Sequence, residues 1–128
     1  MRAIDTNVVI RRITRDDAVQ SPIADSIIAS GPVLLTATVL MECEWVLRSQ
    51  YRYPRDLIAS ALLRFMDVET VVPAERSRFT WALECYSEGA DLADMLHIAT
   101  AFDADAFVTF DRNIVRHVSN DRMVIELV

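Results

Sequence analysis

No lysine occurs anywhere in the 128 residues; all 13 basic side chains are arginine. A P-loop needs its lysine on the phosphates, and a phospho-accepting receiver domain depends on one near its acidic pocket, so both are disfavoured. Glycine is nearly absent, at positions 31 and 89 only, which leaves no Gly-rich turn for a dinucleotide. The two cysteines, Cys43 and Cys85, have neither metal-site spacing nor a disulfide framework and fit buried, reduced thiols. The longest uncharged stretch, Ser26 to Met41, is broken by Gly31-Pro32 and is shorter than the ~20 residues of a membrane-spanning helix. The N-terminus reaches Asp5 before a signal-peptide core can form. These absences point to a cytoplasmic protein that makes no use of a membrane.

What is present is apolar and acidic. Apolar residues make up 52% of the chain, enough for residues 1–128 to fold as one domain that buries about two-thirds of its unfolded surface. Disorder and low-complexity linkers are not expected from such a composition. The formal charge of −6 argues against nucleic-acid binding, since phosphate contacts need cations. That objection weakens if several acids are gathered around a metal, because the outer surface is then less negative than the total.

Along the chain, Arg2 to Asp5 reads as a short central strand and Asn7 to Arg12 as a short helix. Ser21-Pro22 has the form of an N-cap and first helical residue for a helix to about Ser30, with Gly31 as its left-handed cap. Val33 to Thr36 is an apolar strand of the kind buried on both faces. Thr36 or Thr38 can cap the next helix, where Leu40, Cys43, Val46 and Leu47 recur at helical spacing. Pro54 starts another, with Leu57, Ala61, Leu62 and Phe65 on one face, and Val68 to Val72 is a short strand ended by Pro73. Glu75 to Glu88 is helical and closed by Gly89; Asp91 to Asp94 opens a further helix with Leu92, Met95, Ile98, Ala99 and Phe102 inward. Ala106 to Phe110 is a fully apolar strand, and Met123 to Val128 is the last. Strands alternating with helices predict an α/β fold with a mainly parallel sheet and helices on both faces.

Four acids occupy comparable places in this alternation. Asp5 and Asp111 each end a strand, Glu42 lies in the opening turns of the helix after the second strand, and Asp94 lies in the first turn of its own helix. In parallel sheets, ligands bind beyond the carboxyl ends of the strands. Carboxylates gathered there repel one another, and a hard divalent cation such as Mg²⁺ or Mn²⁺ removes that cost. Each acid also has an ordinary explanation. Asp5 and Asp111 can be N-caps, Asp91 and Asp94 have capping-box spacing, and Glu42 near a helix N-terminus is favoured by the dipole. It is the conjunction, in strand after strand, that favours a metal site.

Ile4-Asp5-Thr6-Asn7, Thr38-Val-Leu-Met-Glu42, Asp94-Met-Leu-His-Ile-Ala99 and Val108-Thr-Phe-Asp111-Arg112 resemble, in order and spacing, the successive motifs of PIN-domain ribonucleases, and among these the VapC toxins of bacterial toxin–antitoxin pairs. The resemblance covers essentially the whole chain and implies a three-layer α/β/α PIN-like sandwich. It implies an endoribonuclease dependent on Mg²⁺ or Mn²⁺, inhibited by a VapB-type antitoxin and usually a homodimer. Carried over by position, Asp5, Glu42, Asp94 and Asp111 would be the catalytic, metal-binding carboxylates, with Thr6, Asn7 and Thr109 orienting them. The products implied are a 3′-hydroxyl and a 5′-phosphate.

Other residues have weaker claims. Arg11, Arg12 and Arg15, and Arg112 with Arg116, would rim the cleft and contact RNA or an acidic partner, although a solvated arginine is as good an account of any one of them. His97 lies on nearly the same helix face as Asp94 and is better read as its partner than as a ligand. His117 is expected to be solvated, and Asp91 to cap its helix. Trp45 and Trp81 read as core or interface packing, and the apolar helices 40–47 and 57–65 hint at a protein interface. Two competing functions remain: a catalytically silent PIN-like module that works by binding a partner, and a metal-dependent phosphatase of another α/β fold. The second usually carries two aspartates flanking one residue after the first strand, whereas Thr6 and Asn7 follow Asp5 here.

Overall fold

Parallel strands cannot be joined by a tight turn, and in this chain every parallel pair is bridged by helix. The structure, a computed structural model, describes residues 1–128 as five strands and seven helices. They fall into two compact units, Met1–Arg76 and Ser77–Val128.

In the first unit β1 (Arg2–Ala3), α1 (Thr6–Thr14), α2 (Gln20–Ala29), β2 (Val33–Leu35), α3 (Ala37–Ser49), α4 (Arg55–Met66) and β3 (Val71–Pro73) follow in order. The sheet runs β1-β2-β3, parallel throughout, with Ala3 beside Leu34 and Leu35 beside Pro73. Val33 and Leu35, which share one face of the middle strand, are fully buried, whereas Leu34 on the other face is half-buried, so β2 is sealed on one face and only partly covered on the other. Pro73 sits on an edge strand, where a missing N–H is tolerated. Helix α1 ends on Arg15 in the left-handed region (φ 54°). A glycine would ordinarily take that place; here the Arg15 guanidinium is tied to both oxygens of Asp25, at 3.1 and 2.7 Å.

Several local expectations are corrected. Helix α2 starts before Ser21-Pro22, because Asp17 accepts the N–H groups of Val19 and Gln20 at 2.9 and 2.7 Å. Those bonds, Gln20's first, hold the Asp17 carboxyl below its ordinary range; a carboxylate is the stronger acceptor for the positive end of a helix. Ser21 is buried instead and donates to the Arg11 carbonyl. Thr36 occupies the N-cap position of α3, but its hydroxyl meets that of Thr38 rather than a helix N–H. On α4 the buried stripe is Ile58, Ala59, Leu62, Phe65 and Met66, while Leu57 is exposed. A 3.6-residue period starting from Ile58 selects that set. Trp45, on α3, is 51% exposed rather than packed in a core.

The second unit contains nearly all of α5 (Arg76–Ser87), then α6 (Leu92–Ala99), β4 (Phe107–Thr109), α7 (Arg112–Val115) and β5 (Ile125–Leu127). Phe79, Ala82, Leu83 and Tyr86 form the buried face of α5, and Gly89, at φ 117°, closes the turn after it. Strands β4 and β5 pair in parallel, Val108 beside Glu126. The apolar run Ala106 to Phe110 is not a buried strand throughout. Val108 is 58% exposed and Phe110, just past the strand, 84% exposed; β5 is the one strand that pairs with β4. Trp81 meets Phe102 edge-on at 4.9 Å, with Arg78 and Arg122 over the same ring. Cys43 is buried and Cys85 half-buried, both free. His117 is half-buried too, its carbonyl facing the Cys85 sulfur at 3.8 Å. No helix is long and apolar enough to cross a membrane.

Candidate functional site

The candidate acids occur as two groups, one in each unit. In the first, β1 ends at Ala3 and, one residue on from Ile4, the chain turns into α1 at Asp5, whose carboxylate accepts the Thr6 N–H at 2.8 Å. The Thr6 side chain is buried, and its hydroxyl donates to Glu42 Oε1 on α3. One residue therefore holds both acids: its backbone takes Asp5 and its hydroxyl takes Glu42. Burial, then the charges of Glu42 and Asp5, push the neighbouring Cys43 thiol up to about 12. A thiol so protonated is inert as a nucleophile or metal ligand. Asn7 is exposed beside Asp5 and lines a cleft of about 310 Å³ with Val8 and Arg11 from α1 and Gln20, Ile23, Ala24 and Ile27 from α2.

In the second unit, Asp91 caps α6 by accepting the Asp94 N–H at 3.0 Å. The cap is thus filled by Asp91, and the Asp94 carboxylate accepts no hydrogen bond of its own. Burial raises its pKa first, then the charges of Asp91 and Asp111, against a smaller opposing pull from His97. Asp111 caps α7 by accepting the Asn113 N–H at 2.8 Å, and its own N–H is fixed on the Thr109 hydroxyl at 3.0 Å. Thr109 thus fixes the backbone of Asp111.

No group of three or more His, Cys, Asp or Glu side chains lies close enough together to hold a metal ion. Glu42 and Asp5 come together through Thr6, and Asp94 lies within the field of Asp111. The donor chemistry of each group fits a hard cation. Its atoms are carboxylate oxygens, and Mg²⁺ is commonly held by one or two carboxylates with water completing its shell.

The arginines fall into two sets. Arg11 donates to Gln20 at 2.7 Å, to the Tyr51 hydroxyl at 3.0 Å and to Asp16 at 3.3 Å. Arg12 is bound to Asp25 at 3.2 Å. Both are occupied in fastening α1 to its neighbours. Arg112 and Arg116 are exposed and outside every ion pair of the chain. Sequence inspection missed Tyr51, whose hydroxyl donates to Asp16 at 2.6 Å and lowers that carboxyl's pKa; nothing in the local sequence signals so distant a pairing. It also missed Glu44, buried on α3 and paired with Arg48 at 2.8 Å. The i, i+4 spacing of those two was a usable signal.

Residues 3–120 match the family described as PIN domain. No curated protein matches the chain.

Proposed function

Since the chain belongs to the PIN-domain family, whose members are generally nucleases, we propose that it is an endoribonuclease using Mg²⁺ or Mn²⁺. On this reading it is the toxin of a toxin–antitoxin pair, acting in the cytoplasm, and its two units work as one domain. The observation that carries the proposal is Asp94: a half-buried carboxylate, relieved of capping by Asp91, without a hydrogen-bond partner and under the charges of Asp91 and Asp111. Such a group is costly unless it serves a cation or a proton.

Asp5, Glu42, Asp94 and Asp111 would hold the metal. When bound, it would lower the pKa of attacking water and neutralise charge on the phosphate oxygens. The chain's own part is positional. Thr6 directs a Glu42 oxygen and the Asp5 carboxylate from one buried point, and Thr109 fixes the backbone from which Asp111 projects. No side chain is needed as nucleophile, and Cys43, with its raised pKa, is unsuited to be one. Trp45 and Leu57, exposed on α3 and α4, offer apolar surface to a second copy or to the antitoxin.

The test is RNA cleavage by the purified protein under metal control. Cleavage should require Mg²⁺ or Mn²⁺, stop with EDTA and return when metal is restored; metal-independent cleavage, or none with either metal, would reject the assignment. Thr6→Val should lower activity about 10- to 100-fold, as loss of a group supporting a ligand does, and Thr6→Ser should recover most of it. Equal activity in Thr6→Val would show that Glu42 needs no such support.

A further inference from the structure

Phe110 is 84% exposed, although phenylalanine is among the residues most often buried. Its backbone is held on both sides. Thr109 Oγ1 accepts the Asp111 N–H across Phe110, and Asp111 Oδ1 accepts the Asn113 N–H across Arg112. Two successive side-chain-closed turns therefore carry an aromatic ring and a cation at their middle positions. Arg112 and Val115 in α7 and its C-cap residue Arg116 then recur at i, i+3 and i+4. Val115 is 47% exposed, and both arginines stand outside the ion pairs that occupy Arg11, Arg12, Arg15, Arg48, Arg76 and Arg78. In a chain of net charge −6, two uncommitted cations within six residues of a bare ring mark a segment suited to a polyanion that carries flat apolar groups.

We propose that Phe110 is a stacking platform for an unpaired base of single-stranded RNA, with Arg112 and Arg116 taking neighbouring phosphates, so that the strand is seated beside Asp111. The inference rests on the nuclease function proposed above and adds to it the residue that selects an unstacked base. An aromatic face accepts any base, and arginines contribute through phosphate charge. Bases inside an A-form duplex are already stacked and cannot reach the ring.

Binding of a fluorescein-labelled, mixed-sequence oligoribonucleotide in EDTA, followed by anisotropy, separates recognition from cleavage. Phe110→Ala should weaken single-strand affinity about 5- to 100-fold, as removal of a stacking ring does, and Phe110→Trp should restore it. Arg112→Gln should reduce the slope of log affinity against log salt by about 0.7, the value for one phosphate contact on a single strand. The same RNA annealed to its complement should be indifferent to Phe110→Ala. In metal, Phe110→Ala should raise KM more than it lowers kcat. Unchanged single-strand affinity in Phe110→Ala would overturn the proposal, as would failure of Phe110→Trp to restore it. A change of sedimentation in Phe110→Ala would also overturn it, by making the ring a protein contact. Single-strand binding that depends on Phe110 in a protein unable to cleave would keep the platform and remove the nuclease; cleavage indifferent to Phe110 would do the reverse.

Discussion

Asp94→Asn is expected to abolish RNA cleavage and, at neutral pH without metal, to make the protein more stable. The two effects share a cause. The folded protein holds the Asp94 carboxyl above its ordinary value of 3.8, through burial and then through Asp91 and Asp111. With a raised folded-state pKa, the native state binds the proton more readily than the unfolded chain does. Stability is then fully present below the ordinary carboxylate range and is lost as pH rises through the folded-state pKa. At pH 7 the ionised group is a net cost to the fold, and asparagine removes the charge while keeping the shape. Thermal unfolding should therefore show a higher midpoint for Asp94→Asn at pH 7, converging with the parent protein below about pH 3.8, the ordinary carboxyl value. Added salt should narrow the difference. Cleavage should fall about 1,000-fold or more, beyond the roughly 10- to 100-fold cost of losing a supporting residue. Mg²⁺ should stabilise the parent and leave the variant nearly unmoved. A variant less stable than its parent at pH 7, or one that still cuts, would remove Asp94 from the metal site.

Asp5→Asn should cost as much activity with no comparable change in stability. The amide oxygen can still accept the Thr6 N–H that Asp5 now takes at 2.8 Å, and asparagine is as good an N-cap as aspartate. What is lost is the negative charge. Circular dichroism and melting should therefore stay close to those of the parent while cleavage disappears. The contrast between the variants is informative: one acid is satisfied by a cap bond and the other is left unpaired. Undiminished cleavage by purified Asp5→Asn would contradict the assignment of the whole acidic set, whereas lost activity with a collapsed fold would mean that the cap alone had been damaged.

The alternation of apolar runs with helical stripes carried the α/β parallel character, because strand and helix periodicities are local properties of the chain. Leu40, Cys43 and Leu47 on α3, and Phe79, Ala82, Leu83 and Tyr86 on α5, are buried where their spacing predicts. Boundaries and caps were less legible. Ser21-Pro22 has the form of a helix start, yet the helix already begins at Gln20, because Asp17, three residues earlier, accepts the N–H groups of Val19 and Gln20. One dimension leaves Arg11 and Arg12 equally able to be solvated or to contact RNA or a partner; the structure engages them with Tyr51 and Asp25.

By itself, the sequence determined that this is a parallel α/β chain and that its acids follow strands and open helices, since both depend on the order of residue types. Only the tertiary structure decided which acid is satisfied and which is exposed to its neighbours' charge. Asp91 and Asp94 look interchangeable as caps in one dimension; a single N–H bonded to Asp91 distinguishes them. It likewise decided that Phe110 faces water, because exposure depends on what packs against a side chain, and an apolar run carries no record of that.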